Sequence, residues 1–138
     1  MNRAFRGVLI FLVLLVAILT ACGAEKLSSD FDETTVKEST VKVIELLNDK
    51  NYDELREISI LQMKQALTDD ILNEVVTSYI EPAGEFKNIN EIGLTETKSN
   101  ESNEKLATAI AKAEYENGTL TYTITFDKDM QLAGLYVK

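Results

Sequence analysis

The sequence predicts an α+β fold in which N-terminal helices pack on one face of a curved antiparallel sheet. Its 138 residues suit one domain and leave little room for two. Apolar residues recur at helical spacing between residues 30 and 84, and they alternate with polar residues further along the chain. The dipeptide Asn117-Gly118 is a strong signal for the tight turn of a β-hairpin. Helices followed by a meander of strands are typical of this fold class.

Residues 1–21 are predicted to form a signal peptide that is removed from the mature protein. Arg3 and Arg6 precede an unbroken apolar run over residues 8–19, and no acidic residue occurs before Glu25. A basic start, an apolar core and small residues at the end are typical of secretory signals. The segment ends in Leu19-Thr20-Ala21-Cys22, which resembles the lipobox of bacterial lipoproteins.

The lipobox resemblance implies a thioether-linked diacylglycerol on Cys22 and cleavage just before it. The mature chain would have 117 residues with 12 basic and 23 acidic side chains. Residues 22–30 would tether a single domain, 31–138, to the extracytoplasmic side of the cell membrane. Two alternatives remain open: an uncleaved span over residues 7–24, which has just the length to cross a bilayer, and a free buried Cys22. The uncleaved span places the domain on the same side of the membrane.

The composition excludes several kinds of site. The chain has no His and one Cys, so Ser-His and Cys-His catalysis, an intramolecular disulfide and a zinc cluster are excluded. The net charge of −9 argues against a nucleic-acid partner, because binding to phosphates needs a basic face. No metal site, cofactor or catalytic residue is therefore predicted.

Three helices are expected before residue 84. The first, over residues 30–51, carries an apolar stripe and begins with either a capping box at Thr35 or a cap at Asp32. A short second helix covers residues 52–58. Thr68 caps the third, which Pro82 and Gly84 end. Its predicted buried face consists of Leu72, Val75, Val76 and Tyr79.

The strands are expected to form a meander after Gly84. Residues 86–97 form one bent strand or two short ones, a polar loop covers 97–104, and residues 105–115 form the next strand. A two-residue turn at 117–118 gives paired residues whose numbers sum to 235, so that Ala111 faces Ile124. Alanines then oppose bulky residues on the inner face of the sheet.

The last hairpin is expected to turn at residues 127–130, with Met130 at positive φ. Leu132 then pairs with Phe126, and Tyr136 pairs with Tyr122, which places Leu132 and Tyr136 on the inner face. On this register the outer face collects four apolar residues: Leu106, Ile110, Leu135 and Val137. They form either an apolar contact patch or a few solitary exposed side chains.

Five short segments of the chain resemble a bacterial family called domain of unknown function 3887. They are residues 47–53 (LNDKNYD), 67–70 (LTDD), 84–87 (GEFK), 115–118 (YENG) and 133–136 (AGLY). The resemblance implies a fold like that of nuclear transport factor 2, a cone in which a curved sheet wraps over helices. It implies no catalytic residues. In such a cone the cavity lies between the sheet and the helices.

The five tyrosines are the candidate lining of that cavity: Tyr52, Tyr79, Tyr115, Tyr122 and Tyr136. Core packing is the alternative role, and the one that their spacing favours. We expect a non-catalytic module that binds a small molecule or a protein and is attached to the membrane through Cys22. An isomerase or dehydratase using an inner tyrosine and a carboxylate is one alternative. A structural accessory that forms homodimers through the outer face of the sheet is another.

Overall fold

The computed structural model describes residues 26–138, in which helices precede a four-stranded antiparallel sheet. The helices are α1 (Glu33–Asn48), α2 (Tyr52–Glu57), α3 (Leu61–Ala66), α4 (Asp69–Val75), a π-helical turn (Val76–Ile80) and α5 (Glu81–Ala83). The strands are β1 (Phe86–Lys98), β2 (Lys105–Tyr115), β3 (Gly118–Phe126) and β4 (Leu132–Val137). The strand order follows the chain order, so the predicted α+β meander is confirmed.

Helix α1 is shorter at both ends than the predicted helix over residues 30–51. Asp32 is its cap, since a side-chain oxygen of Asp32 accepts a hydrogen bond of 2.8 Å from the backbone N–H of Thr35. Of the two proposed caps, Asp32 is therefore the correct one. The helix ends at Asn48 because Lys50 takes a left-handed conformation with φ 56°. Asn51 then donates its N–H to the Leu46 carbonyl, which closes the helix end.

The third predicted helix contains a π-helical turn that the residue pattern does not predict. Helix α3, which precedes it, is likewise unpredicted. Thr68 caps α4 as expected, and Leu72 is fully buried. The wider turn at Val76–Ile80 inserts one residue into the helical repeat, so that Ile80 is buried and Tyr79 is 42% exposed. The placement of Tyr79 on the buried face is therefore wrong.

The β2–β3 pairing differs from the predicted register by two residues. The turn residues are Glu116 and Asn117, and Tyr115 pairs with Gly118, so paired numbers sum to 233 rather than 235. Ala111 accordingly faces Tyr122 instead of Ile124. A shift of two residues preserves the side of the sheet on which each side chain lies. The prediction that alanines oppose bulky residues on the inner face is thus confirmed with different partners.

A β-bulge near the start of β4 changes which residues face the core. Met130 has φ 60° and Leu132 pairs with Phe126, both as predicted. The pairing then skips Ala133, and Gly134 pairs with Thr125. One extra residue reverses the side-chain alternation.

The reversal overturns three of the predicted placements. Val137 is buried opposite Tyr122, and Leu135 pairs with the buried Ile124. Tyr136, which was expected on the inner face, is instead 60% exposed on the outer face. Leu106 and Ile110 do share the outer-face alternation of β2, as predicted.

The hydrophobic core lies between the inner face of the sheet and the helices. Its sheet side consists of small alanines on β2 and large side chains on β3, and its helical side comes mainly from α1. The segment before α1 also joins it, because Leu27 packs against the core and Phe31 is buried. Among residues 26–138, no helix has the length and hydropathy needed to cross a membrane.

Candidate functional site

The C-terminal end of β2 and the middle of β3 bring two of the five candidate tyrosines together. The hydroxyl groups of Tyr115 and Tyr122 lie 2.6 Å apart, and Asn48 at the end of α1 donates to the Tyr115 hydroxyl at 2.9 Å. The other amide hydrogen of Asn48 bonds to the Ile44 carbonyl at 2.8 Å. A helix end and two strands thereby hold the phenols in one short hydrogen-bonded chain.

This tyrosine pair is buried. Tyr122 has no exposed surface and Tyr115 is 3% exposed. Burial, together with the hydrogen bond to Tyr115, raises the pKa of Tyr122 far above its ordinary value, because the phenolate would lose its hydration. Within residues 26–138, every buried side-chain nitrogen or oxygen atom has a hydrogen-bond partner. The pair therefore acts as part of the packed core.

The other three tyrosines do not join this cluster. The Tyr52 hydroxyl donates to Asn73 at 2.9 Å, which links α2 to α4 at the surface. Tyr79 and Tyr136 are exposed. Both candidate roles, cavity lining and core packing, are therefore wrong for Tyr79 and Tyr136, owing to the π-helical turn and the bulge.

Strand β1 contributes one inward-facing carboxylate, that of Glu96. Glu96 pairs in register with the fully buried Ala107, and its side chain is 14% exposed. The backbone N–H of Ser28 donates to it at 2.9 Å, and the ammonium of Lys105 lies 3.7 Å away. Hydrogen bonding to Ser28, followed by attraction to Lys105, lowers the pKa of Glu96.

Glu96 and the tyrosine pair are separated along the sheet. Tyr122 pairs with Ala111, four residues along β2 from Ala107, the partner of Glu96, and Tyr115 is eight residues from Ala107. At the rise of a strand these offsets are about 13 Å and about 26 Å. General acid–base catalysis needs groups within hydrogen-bond reach of one substrate. Glu96 bonds to Ser28 and the two tyrosine hydroxyls bond to each other and to Asn48, so these groups do not share one hydrogen-bonded site. In the described part of the chain, no group of three His, Cys, Asp or Glu residues is placed to hold a metal ion.

An open cleft of about 500 Å³ lies at the same end of the domain as Glu96. Its apolar lining comes from Ile60, Leu106 and Ala133. Glu101 and Glu104, in the loop between β1 and β2, and Asp127, in the last turn, add carboxylates. This volume lies within the usual range for ligand sites. The cleft is thus an external site with an apolar surface and an acidic rim.

Two structural elements keep the cleft walls in place. In the β1–β2 loop, the Ser99 N–H donates to the Glu104 carbonyl at 2.9 Å. In the last turn, one carboxylate oxygen of Asp127 accepts from the N–H groups of Asp129 and Gln131 at 3.0 and 2.8 Å. No motif in the sequence marks this cleft, because its walls are far apart in the chain.

The comparison with protein families gives a match over residues 40–135. The matching family is DUF3887, described as a protein of unknown function. The chain belongs to this family. The DUF3887 domain therefore includes the tyrosine pair and the whole cleft lining. Cys22 and the lipobox residues Leu19, Thr20 and Ala21 lie outside both this match and the described residues.

The DUF3887 domain is also similar in fold to a solved structure. This is an NMR structure of a protein from Ruminococcus gnavus ATCC 29149, with a TM-score of 0.73 and 24% sequence identity. The alignment covers 82% of this chain and 96% of that one. At this identity the likeness concerns the fold. The search of curated proteins found no match.

Proposed function

We propose that the protein is an extracytoplasmic lipoprotein whose DUF3887 domain, with a cone-shaped fold like that of nuclear transport factor 2, binds a small molecule or a protein without catalysis. The observation that carries the binding role is the closed hydrogen-bonded chain of Asn48, Tyr115 and Tyr122 inside a packed core. Since the interior polar groups bond to one another, the external cleft is the better binding site. Its carboxylates favour a cationic or neutral ligand over an anionic one.

The membrane attachment is proposed from residues 1–22. A basic start, an apolar core and Leu19-Thr20-Ala21-Cys22 together support lipidation of Cys22. The free tether would be shorter than residues 22–30, because Leu27 and Ser28 contact the domain. Five residues from Cys22 to Leu27 reach about 18 Å at most. The domain would thus stay close to the lipid surface.

The experiment for the anchor compares the full-length chain with its Cys22→Ala variant in the bacterium. The wild-type protein should fractionate with membranes and resist extraction with high salt, since a lipid holds it there rather than charge. The variant should accumulate as an unprocessed precursor or leave the membrane fraction. Normal processing and retention of Cys22→Ala would refute the lipid anchor.

The experiment for the binding site places a photo-crosslinking amino acid at Gln62 in the cleft of the full-length, membrane-attached protein. A matched control carries it at Glu38, which is exposed on α1 and is not one of the cleft-lining residues. We expect a discrete crosslinked adduct from position 62. This adduct should be lost when Leu106→Asp disrupts the apolar lining of the cleft. Equal labelling from positions 62 and 38, or an unchanged adduct in Leu106→Asp, would refute binding at the cleft.

A further inference from the structure

The outer face of the sheet, which turns away from the helices, contains three complete cross-strand rows. Each row takes one residue from each strand in register. The charged row is Glu91–Lys112–Thr121–Lys138, the central row is Gly93–Ile110–Thr123–Tyr136, and the hydroxyl row is Thr95–Thr108–Thr125–Gly134. The rows stack along the strand direction in that order.

This outer face is the low-charge part of an acidic domain. Residues 26–138 carry 12 basic and 22 acidic side chains, whereas the three rows contain one acidic and two basic ones. Ile110 is 44% exposed and Tyr136 is 60% exposed, and both lie in the central row. Two copies that met through the acidic helical surface would repel each other. The outer face avoids that repulsion and buries apolar area.

The central row has a notch at one end and a protruding ring at the other. A Cβ atom added at Gly93 would meet only the Ile110 carbonyl oxygen, at 3.9 Å, and its φ is outside the left-handed region. The monomer therefore does not require glycine at this position. The missing side chain leaves a gap on β1, while Tyr136 projects from β4 at the far end of the same row.

A two-fold axis parallel to the strands makes these features complementary. Such an axis, running between β2 and β3, reverses the order of the strands in the second copy. It leaves each row at the same position along the strand direction, so that each row faces the same row of the partner. Strand β1 of one copy then lies over β4 of the other. Tyr136 of each copy faces the Gly93 notch of its partner, and Glu91 faces Lys138. We propose that two copies of this chain pack outer face to outer face about this axis.

The available area suits a weak, reversible dimer. The three rows extend about 20 Å along the strands and about 19 Å across them, by the usual strand dimensions. Two such faces bury roughly 800 Å² in total, which is in the range of weak, transient association. The contact is isologous, so it closes at two copies. Neither the lipid anchor nor the cleft is required for it.

The size exchange between Gly93 and Tyr136 tests this geometry. Full-length protein is extracted from membranes in mild detergent, and its mass is measured by sedimentation equilibrium with the detergent density-matched. The wild type should be dimeric, and Gly93→Leu should weaken association by about tenfold or more because it fills the notch. Adding Tyr136→Ala to Gly93→Leu should restore most of the association. Circular dichroism should show an unchanged fold in every variant.

The charge exchange provides an independent arm. Glu91→Lys should weaken the dimer, and Glu91→Lys with Lys138→Glu should restore it. The matched control is Glu91→Lys with Lys112→Glu, which rebuilds only the 3.2 Å ion pair between Glu91 and Lys112 within one chain. A monomeric wild type at about 100 µM would overturn the proposal, since even weak dimers form there. Dimerisation of Gly93→Leu equal to that of wild type, or rescue by the control alone, would overturn it as well.

Discussion

The buried tyrosine pair gives the most detailed prediction, because its two hydroxyl groups are not equivalent. Tyr122→Phe removes one hydrogen bond and leaves the Tyr115 hydroxyl bonded to Asn48. That loss should lower the free energy of unfolding by about 1 kcal/mol. Tyr115→Phe removes the close partner of the buried Tyr122 hydroxyl and also removes an acceptor from Asn48. Its cost should be larger, about 2–3 kcal/mol.

The double variant completes the thermodynamic cycle. With both phenylalanines in place no phenolic hydroxyl is left unpaired, so the double variant should cost no more than Tyr115→Phe alone. Urea unfolding followed by far-UV circular dichroism measures all four proteins without relying on tyrosine fluorescence. A larger cost for Tyr122→Phe than for Tyr115→Phe, or strict additivity, would refute the hydrogen-bonded chain.

Alkaline pH tests the same site by a separate route. The pKa of Tyr122 is raised in the folded protein, so above pH 10 the unfolded chain loses a proton that the native protein keeps. The contribution of this retained proton to the free energy of unfolding is fully present below pH 10 and decreases as the pH rises. The decrease reaches about 1.4 kcal/mol near pH 11. The stability difference between wild type and Tyr122→Phe should therefore close by pH 11, and a constant difference would contradict the burial of a protonated phenol.

Three further predictions concern the fold. Gly84→Ala should lower the free energy of unfolding by about 2 kcal/mol, because Gly84 has φ 83° and a Cβ would lie 3.0 Å from Glu116. Gly93→Ala is the matched control in open space and should raise the free energy of unfolding by about 0.5 kcal/mol. Equal effects of the two substitutions in urea unfolding would refute this contrast. Thr68→Ala should cost about 1 kcal/mol through loss of the α4 cap, whereas Thr68→Ser should be nearly neutral in the same assay. The pKa of Glu96 is lowered in the folded protein, so its contribution to folding stability is present above the pKa of the unfolded chain and is lost as the pH falls. Glu96→Gln should therefore make stability depend less on pH on the acid side. An unchanged pH dependence would contradict the contact with Ser28.

Local sequence signals predicted those parts of the fold that depend on short-range chemistry. Thr68 and Met130 adopt the cap and turn conformations expected of them, and Asp32 is the correct one of two candidate caps for α1. The β2–β3 register was wrong by two residues, yet the inner face stayed correct because side chains alternate with a period of two. Alternation therefore predicts which face a residue occupies more robustly than it predicts the residue's partner.

Single-residue insertions caused the errors at the candidate site. The π-helical turn exposes Tyr79, and the bulge at Ala133 exposes Tyr136, because each adds one residue to a regular repeat. Neither insertion leaves a distinctive residue pattern. The contact between Ser28 and Glu96 joins residues 68 positions apart, so it could be found only once the chain had folded.

Intact mass spectrometry of the protein extracted from bacterial membranes tests the proposed lipoprotein most directly. We expect a chain that begins at Cys22, lacks residues 1–21 and carries the added mass of a diacylglycerol on the sulfur of Cys22. An N-terminal peptide that retains Leu19-Thr20-Ala21, or one that begins at an unmodified Cys22, would contradict it.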